Sequence, residues 1–259
     1  MKLNRKYLVT ILTLIGFDFF CIAGARCSHS HEIIEFVTAE NGNLIFPMHW
    51  MKSPINLEYK FFDSREKNRA EKIAKKAISK YPKDLIHANL KKLYFLGGLS
   101  FSGIQATGTS SLDSIYIVDR GIPMGFDFKD VELTIHSEFS ALLLRKQRAL
   151  LDIRNWNLCN PEGFSYLGGG VSAVSSGKDN VDIGSAKLSE GFICEYSKAS
   201  LEEDFCEISA RLFQGDERLW KISRKHPRIR KKMELAVNFF HSLDPVFTNE
   251  YFKKIKSMP

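Results

Sequence analysis

Glu138 is the residue whose type and place most suggest chemistry. Val131, Ile135, Glu138 and Leu142 recur at spacings of four, three and four, which puts them on one face of a helix. A carboxylate on an otherwise apolar stripe is costly unless it is paired, protonated or used as an acid or base. A second acid, Glu203, lies in a strong helix over 201–214. Leu201, Phe205, Ile208 and Leu212 form one apolar face of that helix, and Glu203, Cys206, Ala210 and Phe213 form the opposite one. Two semi-apolar faces predict burial between layers, with Glu203 turned inward. Ser200 followed by Glu203 at the third helical position also fits a capping box, and on local sequence alone capping is the simpler role for this acid. His136 beside Ser137 or Ser140 suggests a hydrolytic pair, but no Gly-x-Ser-x-Gly turn is present to expose a nucleophile.

The elements around these residues read as follows. Short extended pieces are predicted at 33–38, 43–46 and 55–62. Ser64 caps a helix that runs to about Lys80 and is stopped by Tyr81-Pro82. Strands are predicted at 90–95, broken by Gly97-Gly98, and at 114–118. Between them, 102–111 is rich in Gly, Ser and Thr and reads as a turn-rich connection; no helix start or lysine follows that would make it a phosphate loop. The central helix is expected over 129–149. Residues 152–158 read as irregular, 161–176 as a loop or hairpin, 227–241 as a helix with a basic start, and 245–256 as a short terminal helix. Helices with a few strands, not in strict alternation, predict an α+β fold.

The segment His136-Ser137-Glu138-Phe139-Ser140-Ala141-Leu142-Leu143 resembles the helix of the zinc-binding metallopeptidases of bacterial envelope lipoproteins, His-His-Glu-Phe-x-His-Ile-Leu. The run from Gly191-Phe192-Ile193 through Tyr196 to Glu203-Asp204-Phe205-Cys206-Glu207 is similar to that family's second motif, Gly-Phe-Val-x-x-Tyr-Ala…Glu-Asp-Phe-Ala-Glu. Weaker similarity over 90–118 extends the match to most of 65–255. The resemblance implies a zincin-like fold: a small mixed sheet packed on an active-site-type helix, with further helices toward the C-terminus. It also implies roles: Glu138 as general base, Tyr196 steadying an oxyanion and Glu203 as third zinc ligand. His136 falls on a family histidine that is not a ligand.

The first two ligand positions are occupied by Ser137 and Ala141, so the His-Glu-x-x-His motif is degenerate. A catalytic zinc takes three protein ligands and keeps one position open for water. A serine is a poor ligand and an alanine is none, so the expected cofactor is none, or zinc held differently through Glu138, Glu203 and His136. His136 lies about 200° round the helix from Glu138, and no spacing recruits His29, His31, His49, His87, His226 or His241. Three readings follow: a non-catalytic member that binds peptide or envelope polymer, an active metal-dependent hydrolase with Glu138 as base, or a structural envelope protein.

The bulk composition suits these readings. The 259 residues are 44% hydrophobic and 26% charged, as in an ordinary globular protein. Lys2, Arg5 and Lys6, the apolar stretch 8–23 and Ala23-Gly24-Ala25 read as a signal peptide over 1–25, leaving a single metallopeptidase-like domain at 26–259. Its removal takes three cations and one anion (Asp18) from the net charge of +7, leaving +5. The expected location is exported: periplasmic, or outer-membrane-associated through a lipid anchor at Cys27, which would be the chain's only membrane contact. A basic exported protein meets anionic envelope polymers rather than nucleic acid. Accordingly the run Arg224, Lys225, Arg228, Arg230, Lys231, Lys232 is expected to be a solvated face. Cys27, Cys159, Cys194 and Cys206 would remain. They allow three full pairings, and Cys194 and Cys206 read as buried free thiols. Trp50, Trp156 and Trp220 are scattered, as core tryptophans are.

Overall fold

A computed structural model describes residues 33–38 and 45–255. The signal segment and Cys27 lie outside these residues. In chain order the strands are β1 Ile34–Phe36, β2 Leu57–Lys60, β3 Lys92–Leu96, β4 Gly98–Phe101, β5 Ile104–Ala106, β6 Gly108–Ser110 and β7 Ser114–Val118. The helices are α1 Lys67–Ile78, α2 Lys83–Asn89, α3 Phe128–Lys146, α4 Ile153–Leu158, α5 Gly170–Ser175, α6 Leu201–Gln214, α7 Glu217–Lys225, α8 Pro227–Leu243 and α9 Asn249–Lys254. The fold is α+β, as the sequence predicts.

Two small sheets form. In one, β1, β3 and β7 run parallel and β6 is added antiparallel at the edge. In the other, β2, β4 and β5 form an antiparallel meander. Gly97 joins them at a close approach: a Cβ there would stand 2.1 Å from the Phe61 carbonyl oxygen. Every residue of β7 is buried, as expected of an inner strand covered on both faces. Helix α3 lies on β6 and β7 and is covered on its other sides by α6 and α1. Residues 131–144 of α3 are therefore buried apart from Leu133, which is why its polar and apolar residues do not segregate.

Several boundaries differ from the sequence reading. Asp63, not Ser64, caps the first helix through a short 3-10 turn. Asp152 caps α4, so 152–158 is helical rather than irregular. Segment 102–111 carries β5 and β6 instead of an open connection. Its short strands are set by what they pack on. Gly108 lies so close to α3 that a Cβ would meet Thr134 Cγ2 at 2.7 Å and Glu138 Oε1 at 2.9 Å. Gly108→Ala is accordingly expected to cost about 1–3 kcal/mol by overpacking. Urea midpoints would read this, and an unchanged midpoint would show that β6 does not press on α3 as described.

Lys232 leaves the basic run and is fully buried. Its Nζ donates to Asp204 Oδ2 at 2.6 Å, and the same oxygen accepts from Trp156 Nε1 at 3.0 Å and Tyr166 OH at 2.9 Å. The ammonium also stands 4.0 Å from the Phe192 ring centre. Cys159, Cys194 and Cys206 are buried and free. Trp50 and Trp156 are in the core, and Trp220 is partly exposed.

Candidate functional site

The centre is built from α3, α6, the β6 edge and the turn before α6. Asp127 caps α3 by accepting from the backbone N–H groups of Lys129 and Asp130, and the helix then carries Glu138 beneath β6. Ser110, the last residue of β6, donates its hydroxyl to Glu138 Oε2 at 2.8 Å. Arg145, two turns further along α3, donates from Nη2 to the Ser110 hydroxyl at 2.8 Å and to the Ser110 carbonyl at 3.0 Å. The strand edge is thus held to the helix by a chain running Arg145, Ser110, Glu138.

On α6, Ser200 accepts from the Glu203 backbone N–H, which is the serine half of the capping box. The Glu203 carboxylate turns inward instead, and Tyr196 OH donates to its Oε1 at 2.9 Å. Tyr196 comes from the 3-10 turn Tyr196–Lys198. Glu138 and Tyr196 are fully buried and Glu203 is 1% exposed. Burial pushes the Glu203 carboxyl well above the usual range. The Tyr196 hydrogen bond opposes this, and the charge of Glu138 adds to it. Burial, and then the neighbouring Glu203, likewise push the Tyr196 phenol up. Cys206 is buried beside the same acids and its thiol is pushed far up, so it is inert.

The structure therefore brings Glu138, Tyr196 and Glu203 together, and it does not bring His136 to them. His136 Nδ1 is hydrogen-bonded to Tyr81 OH at 2.9 Å, and its Nε2 stands 3.7 Å from Glu132 Oε1. That Glu132 oxygen accepts from Lys80 Nζ at 2.5 Å. His136 thus belongs to a separate buried cluster, and its place beside Glu203 in a metal site is not supported. Burial pushes its pKa down to about 4, against the pull of Glu132 and with the help of Lys80.

This sets a pH dependence. The unfolded histidine titrates near 6.5, so it takes up a proton that the folded one refuses, and stability falls as pH drops from 6.5 toward 4. The expected loss is about 3 kcal/mol over that window. His136→Gln should flatten this limb in urea unfolding followed at several pH values; an unchanged limb would contradict the assignment.

Zinc does not fit this centre. Among the described residues the centre offers two carboxylates and no imidazole, and Ala141 offers nothing. Among the described residues no group of three His, Cys, Asp or Glu side chains is arranged to hold a metal ion. Glu203 Oε2 is buried and, among the described residues, has no hydrogen-bond partner, which a ligand role would suit. A protonated carboxyl accounts for its tolerance equally well, since the neutral group is far cheaper to bury. What the arrangement does chemically is hold two buried carboxyls on neighbouring helices, Glu138 accepting from Ser110 and Glu203 from Tyr196.

Sequence reasoning missed Ser110, Arg145 and the Asp204–Lys232 pair. Gly108 inside a short Gly-Thr-Ser run was the available signal for a strand pressed against another element. Asp204 was hidden within the acid run Glu202-Glu203-Asp204 at a helix start, where acids usually serve the helix dipole.

No family model matches the chain, and no curated protein does. Among solved structures, the chain is similar to one from Bacteroides caccae described as a "putative zinc-binding metallo-peptidase". The match has a TM-score of 0.53 at 15% identity, and covers 86% of this chain and 83% of the other. At that identity the likeness establishes the fold: this chain has a metallopeptidase-like α+β architecture.

Proposed function

We propose that the chain is a non-catalytic, metallopeptidase-like protein that binds peptide or envelope polymer without cleaving it. The observation that carries this reading is the closure of the centre. Glu138, Tyr196 and Glu203 are hydrogen-bonded within the core, and Ser137 and Ala141 stand where the resemblance requires imidazoles. A general base must reach the proton it abstracts, and a metal site must keep an open position for water. A centre sealed from solvent offers neither. The fold supports the metallopeptidase-like part of the reading. The charged N-terminal region followed by an apolar stretch supports export, and Cys27 supports a lipid-anchored form.

The test is proteolysis by the full chain. With a fluorogenic peptide library and added zinc, no turnover above buffer is expected. Turnover that is lost on chelation and in Glu138→Gln would overturn the reading and favour an active hydrolase.

A further inference from the structure

The corner between α7 and α8 carries a surplus of positive charge. Arg224 and Lys225 end α7, Arg228, Arg230 and Lys231 lie in the first turns of α8, and only His226 separates the two helices. All five cations are exposed except Arg228, which is half-buried. Earlier in α7 the cations are matched, Arg218 by Asp216 and Lys221 by Glu217. From Arg224 to Leu243 the sole acid is Glu234. It stands 3.9 Å from Lys231 between exposed side chains, and among the described residues this is the one ion pair that the five cations make. An exposed pair of that kind neutralises little. The first turn of α8 holds no acid, and no side chain caps it, so the positive end of the helix dipole adds to the surplus.

Helix α4 extends this surface. Its Trp156 ring centre lies 5.6 Å from the Lys232 ammonium of α8, which holds the two helices together through their inner faces. On the outside of α4, Arg154 and Leu158 are one turn apart and both exposed, Leu158 by 71%. Burial pushes the neighbouring Cys159 thiol up, and the charges of Lys232, Lys231 and Arg228 act against it, so the end of α4 lies within reach of these cations. Asp152, at the start of α4, is engaged by the backbone N–H and the side chain of Asn155. An apolar side chain thus stands in water beside a cluster of uncompensated cations. That pairing suits an anionic layer with hydrocarbon beneath it: phosphates meet the cations and the leucine enters behind them. A soluble polyanion would engage the cations and leave Leu158 in water.

We infer that this corner docks on the surface of a bilayer rich in anionic phospholipid, with Arg154, Arg224, Lys225, Arg228, Arg230 and Lys231 against the phosphates and Leu158 entering the headgroup layer. The inference stands apart from the state of the Glu138 centre.

The test is co-sedimentation of the full chain with vesicles of phosphatidylcholine, alone or mixed equally with phosphatidylglycerol. Tighter binding to the mixed vesicles is expected, and added salt should weaken it. A cation held near an anionic bilayer strengthens attachment about fivefold, so Arg224→Glu with Lys231→Glu, at two exposed positions, should weaken binding at least about tenfold at an unchanged melting temperature. Leu158→Ser should weaken it about fivefold, as expected of a leucine partly withdrawn from water. Lys72→Glu with Lys76→Glu makes the same change of charge on the exposed face of α1 and should cost less than about twofold. The apolar stretch 8–23 is common to all these chains, so differences between them report the corner. No preference for the mixed vesicles, or an equal loss from the α1 pair, would overturn the inference. Vesicle binding indifferent to Leu158→Ser, with heparin held as tightly, would assign the patch to a soluble polyanion and overturn the lipid assignment.

Discussion

Lys232→Met is expected to destabilise the protein by about 3–5 kcal/mol, the usual consequence of stripping one partner from a buried ion pair. The reason is geometric. Asp204 and Lys232 are both buried, and their direct bond at 2.6 Å is the ionic contact of the cluster. Burial pushes the Asp204 carboxyl up and the Lys232 ammonium down, and each draws the other back toward its charged form. Without the ammonium, Asp204 keeps, among the described residues, the neutral donors Trp156 and Tyr166. Asp204→Asn added to Lys232→Met should recover a good part of the loss, because the amide oxygen can still accept from those donors and carries no charge. Urea midpoints of the two variants decide the matter. A loss under about 1 kcal/mol for Lys232→Met would return Lys232 to the solvated face that its neighbours form.

Glu203→Gln is expected to gain on the wild type as pH rises. Burial holds the folded-state pKa of Glu203 above its usual 4.5, so the folded protein keeps a proton that the unfolded chain releases. The associated stability is complete below 4.5 and is lost as pH climbs toward the raised folded value. The slope is at most about 1.4 kcal/mol per pH unit. Glutamine mimics the neutral acid and still accepts from Tyr196 OH, so the variant lacks this slope. Above about pH 5 its stability relative to wild type should therefore rise with pH. A difference that stays constant with pH would mean that Glu203 is ionised in the folded protein.

How far the sequence went is clearest in these same residues. Glu138 on the stripe of Val131, Ile135 and Leu142 was legible because helical spacing fixes which side chains share a face. Glu203 was legible as inward-facing from the two semi-apolar faces of its helix, and its capping role, simpler on local grounds, accounts only for its backbone N–H. The strands at 92–96 and 114–118 announced themselves through β-branched and aromatic residues, whereas β6 did not, since Gly-Thr-Ser carries no periodic signal and is fixed by tertiary contact with α3. Lys232 was misread because the cationic residues around it hide one position that helical phase turns inward. His136 was the hardest: Glu132 comes from α3 itself, but Lys80 and Tyr81 come from the turn after α1, and nothing local ties that turn to it.

The proposed function requires that the buried centre of Glu138, Tyr196 and Glu203 hold no metal. Zinc per chain, measured by equilibrium dialysis of the full protein against a competing chelator, tests it most directly. The wild type is expected to retain none, while Ser137→His with Ala141→His is expected to bind one zinc and to lose it again on Glu203→Gln. One tightly held zinc per wild-type chain, released by Glu203→Gln, would contradict the claim.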